Sequence, residues 1–483
     1  MKILFVAAEV APLAKVGGLA DVAGALPLAL ADRGHDVRIL MPYYGLIDVT
    51  ASSKPSPIIK NLKDTLLESV GGETYVAQTL LGDRVPVYLV RPERWFGSAT
   101  RSEDLYAPEP EAYIAFARAA AVLSREGIHG WQPDVVHCHD WHTGLTPVYL
   151  RLDESGRKPG CVFTIHNLAY SGFFPKNVMQ DAGLPDELYT MDGLEYYGGF
   201  SFLKAGMVYA DMVNTVSPAY AREVETEEYG GGMAGLVRHL REQGRFIGIL
   251  NGIDQAAHDP STDPDLPAHY SADDLAGKAV CKAVLQADCG LKPDPRVPVI
   301  GMVSRICDQK GHDLVAESAG AIVAAGAQLV VLGVGDPAMT EALQRSAADH
   351  AGEMAVKVGY DAYLASRIYA GADMFLMPSR FEPCGLGQLI AMRYGTVPVV
   401  RLTGGLADTV RDADSHPRSG NGFGFLDVSG EALIDAVHRA IRAYRVPRRW
   451  ERIVLRGMQG QYGWAGAVLH YERLYRRADR VRR

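Results

Sequence analysis

The chain reads as an α/β protein made of two doubly wound, Rossmann-like domains facing a central cleft. Three observations predict this. At 483 residues the chain exceeds what one hydrophobic core ordinarily holds, and about 150 residues per domain gives two or three domains. Short apolar runs without polar alternation, as in strands covered on both faces, alternate with stretches of helical periodicity. That alternation implies parallel βαβ units. Finally, the pattern stops in a region rich in Pro, Gly and acids between Asn251 and Pro267 (Gly252, Pro260, Pro264, Pro267) and restarts near Val297.

Taken in order, residues 3–8 form the first expected strand, followed by Gly17-Gly18 and a helical pattern over 19–33. Further strands are expected at 37–41, 134–139, 161–166 and 211–217, then at 299–304, 328–333, 373–378 and 397–402. The domains expected are residues 1–253, residues 254–460, and a closing segment 461–483 that packs as a helix back on the first domain. In such folds ligands bind beyond the carboxyl ends of the strands. Loops that follow strands are therefore where chemistry is sought.

Composition excludes several classes. With 49 Lys and Arg against 57 Asp and Glu, the formal net charge is −8, which argues against a nucleic-acid track or an anionic membrane surface as the main partner. No apolar run reaches the roughly 18 residues of a membrane span. Glu9 and Lys15 break the opening run before it could serve as a signal peptide. The six cysteines (Cys138, Cys161, Cys281, Cys289, Cys307, Cys384) contain no C-x-x-C pair and read as free thiols of a cytoplasmic protein.

The loops carry the candidate chemistry. Lys15-Val16-Gly17-Gly18 is neither a Walker loop nor a G-x-G-x-x-G fingerprint; it is a lysine on a glycine turn, either solvated or reaching an anion. Gly17-Gly18-Leu19-Ala20-Asp21 recurs as Gly404-Gly405-Leu406-Ala407-Asp408, again between a strand and a helix, which we read as similar local geometry. Arg305 and Lys310 share one strand-end loop, where two cations either face solvent or clamp a diphosphate. Ser379-Arg380-Phe381-Glu382-Pro383-Cys384-Gly385-Leu386-Gly387 follows another strand. Pro383 suits a first helical turn there, and the amides of 384–387 could grip an anion beside Glu382; a capping glutamate is the plainer alternative. His137-Cys138-His139-Asp140-Trp141-His142 offers metal-ligand types, but no later ligand cluster completes a site. The alternative is a strand end presenting Asp140 and His142 to the cleft rim. His166 and Asn167, with Tyr170, end the next strand in the manner of a polar sugar site, against the usual buried core histidine.

Together these segments resemble the bacterial glycogen synthase and plant starch synthase family of retaining glycosyltransferases. The resemblance rests on residues 15–21, 139–142, 165–170 and 215–218, then on 250–254, Ser304-Arg305 with Gln309-Lys310-Gly311, 379–386 and 403–410. It implies a GT-B fold and transfer of glucose from ADP-glucose to the non-reducing end of an α-1,4-glucan with retention. On matching positions, Lys15 with its turn (Gly17, Gly18, Asp21), Arg305 and Lys310 would hold the donor diphosphate. The backbone of Cys384, Gly385, Leu386 and Gly387 would add amide contacts. His166, Asn167 and Asp140 would meet the donor glucose, Glu382 would bind its hydroxyls, and Asn251 and Tyr360 would line the donor site. No metal or other cofactor is expected, and the partners are a nucleotide sugar and a glucan.

Departures from the family pattern are Gly387 where threonine is common, Val16 for threonine and His258 for tryptophan. Ile390 stands eight residues after Glu382, so the E-x₇-E pattern of a broader retaining group is missing, as is usual for glycogen and starch synthases. Two alternatives remain at this level. One is a synthase using UDP-glucose or a small maltosyl acceptor; the other is a non-catalytic glucan- or nucleotide-binding protein. A two-domain dehydrogenase lacks its fingerprint.

Overall fold

A computed structural model describes residues 1–47, 74–92, 95–106, 109–153 and 158–482. The chain divides into two compact units: Met1–Gly252 together with Trp464–Arg483, and Ile253–Gly463. Of the expected closing segment, Arg483 lies outside the described residues.

The first unit is organised by an eight-stranded sheet. Its strands are β1 (Lys2–Val6), β2 (Asp36–Pro42), β3 (Thr74–Leu81), β4 (Val85–Pro92), β5 (Val135–His139) and β6 (Gly160–Ile165), joined later by β10 (Met212–Thr215) and β11 (Phe246–Gly248). Between β6 and β10 the chain forms a small antiparallel sheet of β7 (Phe173–Pro175), β8 (Glu195–Tyr196) and β9 (Gly199–Ser201). The large sheet runs β11-β10-β6-β5-β1-β2-β4-β3, and only β3 is antiparallel to its neighbour. All of β5 and β6 is buried, which is why β6 is a continuous apolar or small-residue run rather than an alternating one and why the two histidines of β5, His137 and His139, lie in the core. Chain order turns outward in both directions from β1, toward β2 on one side and β5 on the other. The loops after β1 and β5 therefore meet at the topological switch point, where doubly wound sheets bind ligands.

The closing helix Trp464–Arg482 completes this unit's core. Trp464, Val468, Tyr471, Leu474, Tyr475 and Ala478 are buried in it. Glu472 accepts hydrogen bonds from Arg33 (3.0 Å) and pairs with His35 (3.2 Å) at the end of helix Gly18–Asp32. Close packing on β6 leaves no room for a side chain at Gly160, where a Cβ would lie 2.7 Å from the Ala478 carbonyl carbon.

The second unit carries β12 (Val299–Val303), β13 (Gln328–Gly333), β14 (Met354–Val358), β15 (Met374–Met377), β16 (Val397–Arg401) and β17 (Phe423–Phe425). All are parallel, in the order β14-β13-β12-β15-β16-β17. This is the 3-2-1-4-5-6 order of a dinucleotide-binding sheet, whose switch point falls between β12 and β15. The loops after those two strands hold Arg305 with Lys310 and Glu382 with 384–387.

One expectation fails here. Pro383 does not open a helix: the helix after β15 spans Gly387–Arg393, with Leu386 at its N-cap position. Residues 378–386 form an irregular turn instead, because the chain must first bring Glu382 back to Lys310 and Ser379 before helical hydrogen bonding starts.

Candidate active site

In the first unit, the loop after β1 is built around a carboxylate that sequence reasoning passed over. Glu9 is almost fully buried and accepts hydrogen bonds from the backbone N–H groups of Val16 and, at 2.8 Å, Gly17. Burial raises its pKa against those two bonds. This clamp shapes the turn that opens helix Gly18–Asp32, where nothing lies within 4 Å of a Cβ built on Gly17. Lys15 stands beside it, half-exposed, with its Nζ 2.6 Å from Asp21 Oδ1. The signal for Glu9 was a lone acid closing an apolar run.

The loop after β5 begins with Asp140 at φ +56°, a left-handed conformation uncommon for a side-chain-bearing residue. That backbone turn directs its carboxylate across to the end of β6, where Oδ1 accepts the His166 N–H at 2.7 Å. Burial pushes the Asp140 carboxyl up to about 7, the N–H groups of His166 and Asn167 pull it down, and Glu9 nearby pushes it up further. Asp140, His166 and Asn167 thus form one group at the switch point. Asn167 also turns its own loop, its Oδ1 accepting from Ala169 N–H at 3.1 Å, and Tyr170 is exposed.

The remaining histidines diverge. His137 is buried, with Nδ1 on Tyr475 Oη (2.9 Å) and Nε2 on Thr164 Oγ1 (2.6 Å). His139 meets His166. His142 does not reach a rim: it is buried and stacked between Trp141 (4.1 Å) and Tyr106 (4.4 Å), because the strand ends at His139 and residues 141–143 form a 3₁₀ turn that carries His142 back into the core. Among the described residues no group of three His, Cys, Asp or Glu side chains is arranged to hold a metal ion. Asn251 is buried, and its Oδ1 has no hydrogen-bond partner among the described residues.

In the second unit the switch-point loops form a compact polar cluster. Lys310 Nζ lies 2.6 Å from Glu382 Oε2, and Ser379 Oγ donates to the same oxygen at 3.0 Å. Both members of the ion pair are largely buried. Arg305 follows β12 and is exposed at this same sheet edge. Tyr360 is exposed on the loop after β14, two strands away from β12.

Cys384, Gly385 and Leu386 form the turn that leads into Gly387. Gly385 has φ +70°, a conformation that glycine adopts without steric cost. Gln388, which sequence reasoning did not single out, fastens this turn: its side-chain amide donates to the carbonyls of Cys384 (3.2 Å) and Gly385 (2.8 Å). The later glycine pair braces it from behind. Gly405 N–H donates to the Glu382 carbonyl at 3.0 Å, and a Cβ on Gly405 would stand 2.0 Å from the Cys384 carbonyl oxygen. The two echoed glycine motifs therefore differ in purpose: the first leaves open space, the second permits backbone contact. At Gly387, a Cβ would meet the Phe375 ring at 3.0 Å and the Tyr369 hydroxyl at 3.5 Å. A side chain here would have to push the Phe375 ring back by a few tenths of an ångström.

Two Rossmann-like units, each with its polar groups at the switch point, define the GT-B glycosyltransferase class. The starch synthase catalytic domain family matches residues 2–239, and the group 1 glycosyl transferases match residues 297–443. The chain is 47% identical to a glycogen synthase of Anaeromyxobacter sp. (strain Fw109-5), over 99% of both chains. It is 44% identical to glycogen synthase 2 of Geobacter sulfurreducens, over the full length of both. The catalytic domain of starch synthase IV from Arabidopsis thaliana, solved bound to ADP and acarbose, superposes with a TM-score of 0.89 at 32% identity over 99% of each chain. Sucrose-phosphate synthase from Thermosynechococcus elongatus shares the fold alone, with a TM-score of 0.60 at 18% identity. The chain belongs to the glycogen synthase and starch synthase family of glycosyltransferases.

Proposed function

We propose that this enzyme transfers glucose from ADP-glucose to the non-reducing end of an α-1,4-glucan with retention of configuration. The observation that carries this reading is the buried Lys310–Glu382–Ser379 cluster at the second unit's switch point. Glu382 spends one oxygen on Lys310 and Ser379, and its Oε1 makes no hydrogen bond among the described residues. It can therefore accept from a sugar hydroxyl while Lys310 stays oriented toward the diphosphate. Lys15, Arg305 and Lys310 would carry the charge that develops on the leaving ADP, with the amides of 384–387 assisting. His166, Asn167 and Asp140 would hold the glucose, with Asn251 and Tyr360 at its borders. Gly17, Gly18 and Asp21 would shape the approach of Lys15.

In this reaction the acceptor 4-hydroxyl oxygen bonds to C1 of glucose on the face that ADP leaves. The C1–O bond to the β-phosphate breaks with its electron pair going to that phosphate, and the acceptor's proton follows to the same phosphate. No metal or other cofactor is assigned a step, since Lys15, Arg305 and Lys310 would supply the positive charge that a diphosphate needs. The reading places the enzyme in the cytoplasm, where all six cysteines remain free thiols. None of the described helices is long and apolar enough to cross a membrane.

The test is incorporation of labelled glucose into glycogen from ADP-glucose and from UDP-glucose, with the anomeric configuration of the new linkage read by NMR. Faster labelling from ADP-glucose with an α linkage is expected. Preferred use of UDP-glucose would reassign the donor, and polymer labelling from neither would overturn the synthase reading.

A further inference from the structure

His166 meets the rest of the protein through a second imidazole. His139 Nδ1 lies 3.0 Å from His166 Nε2. His139 is completely buried at the end of β5, packed against both the Phe5 ring (centroids 5.1 Å, 24° between planes) and the His137 ring (4.0 Å). Its other nitrogen, Nε2, is buried with no hydrogen-bond partner among the described residues.

A neutral imidazole carries one N–H and one lone pair, so the contact has two possible directions. If His166 donated, His139 would accept through Nδ1 and keep its proton on Nε2. That N–H would then be buried with no acceptor. If His139 donates through Nδ1, the buried Nε2 is only a bare lone pair. Orphaned N–H groups are rarer in folded proteins than under-satisfied acceptors, and an unsatisfied buried donor carries its full desolvation penalty. A charged ring does not rescue the first arrangement, because burial holds His166 down to about 3 and His139 well below the usual histidine range.

Neighbouring bonds agree in direction. Thr164 Oγ1 donates to Asn214 Oδ1 at 2.7 Å, so it accepts from His137 Nε2–H at 2.6 Å. His137 Nδ1 must then accept from Tyr475 Oη–H at 2.9 Å. The ring beside His139 is thereby fixed in one tautomer by the closing helix.

We propose that His139 is a positioning residue that donates to His166 Nε2 and so holds His166 in its Nδ1–H tautomer, presenting a hydrogen-bond donor to a sugar hydroxyl oxygen. His166 is half-buried, and its Nδ1 makes no hydrogen bond among the described residues, so that donor is available. The functional half of this inference rests on the proposed contact between His166 and the donor glucose. The tautomer itself does not.

The test has two arms. In ¹⁵N-histidine-labelled protein, protonated and unprotonated ring nitrogens resonate in separate regions, and loss of one set of signals in His166→Gln assigns this residue. A protonated Nδ1 and bare Nε2 are expected for His166; the reverse pattern overturns the proposal whatever the variants do. In the second arm, His139→Leu removes the donor and is expected to lower kcat/KM about 10- to 100-fold. His139→Asn places an amide N–H near the same point and is expected to recover most of that loss. Equal rates for both variants would overturn the positioning role. If His166→Ala keeps the wild-type rate while the wild-type spectrum shows Nδ1–H, the glucose contact is wrong and the tautomer stands.

Discussion

The ion pair between Lys310 and Glu382 sets two roles against each other. Each side chain is largely buried, so removing one partner leaves the other's charge desolvated and uncompensated, which costs about 3–5 kcal/mol. Replacing both by neutral groups of similar volume is often neutral for stability. Lys310→Met and Glu382→Gln singly are therefore expected to lower the stability of the second unit by about 3 kcal/mol. The double variant is expected to recover most of it, as read by thermal unfolding. Activity should not follow that recovery: if Lys310 faces the donor diphosphate as proposed, its loss is expected to lower kcat by about 10²- to 10³-fold in Lys310→Met and in the double variant alike. A double variant that regained both stability and turnover would make the pair a structural brace alone.

Elements were legible where their physics is local. Strands buried on both faces leave apolar runs, and nine of them (β1, β2, β5, β6, β10, β12, β13, β15 and β16) lie within two residues of the expected bounds. The antiparallel pair β3 and β4, the short β7 to β9, β11 and β17, and the edge strand β14 are short or carry mixed patterns and were not seen. The candidate site residues were picked out at strand ends, so they were legible for the same reason the strands were. Glu9, His139 and Gln388 were not, because each acts through a partner distant in sequence or through backbone groups, which leaves no spacing to read. The turn after β5 shows the limit most plainly: His142 shares a motif with Asp140 yet belongs to the core. Burial holds it down to about 3, and neither ring nitrogen has a hydrogen-bond partner among the described residues. Below the unfolded value near 6.5, unfolded chains take up a proton that the folded ring refuses. Stability therefore drops as the pH is lowered below about 6.5, through this residue by about 1.4 kcal/mol per unit. His142→Phe keeps the stacking on Trp141 and Tyr106 and removes the titration. Relative to wild type it is expected to gain about 1.4 kcal/mol per pH unit on going from pH 6 to pH 4. Urea unfolding followed by tryptophan fluorescence checks this, since four of the five tryptophans belong to the first unit. A pH-independent difference would contradict the assignment.

At the scale of the whole chain, the first unit is discontinuous in sequence while the second is a single stretch. The helix Trp464–Arg482 brings Trp464, Val468, Tyr471, Leu474 and Tyr475 into the first unit's core. At about 1.5–3 kcal/mol for each large buried side chain, its removal forfeits on the order of 10 kcal/mol, an upper figure because unfolded chains already bury some apolar surface. A domain's whole stability is about 5–15 kcal/mol, so this one helix decides whether the first unit folds. Tyr475 adds specificity, because without it His137 Nδ1 loses its hydrogen-bond partner in a dry core. By contrast, residues 253–463 enclose their own core, centred on Ile300, Leu329, Met374 and Val399. A fragment of residues 253–463 is therefore expected to unfold cooperatively on its own. A fragment of residues 1–252 is expected to lack a cooperative transition, and joining residues 464–483 to it through a flexible linker is expected to restore one. Near-ultraviolet circular dichroism during heating distinguishes these states. A sharp transition in the 1–252 fragment at the midpoint of the linked fragment would show that the closing helix is an ornament of the core rather than a part of it.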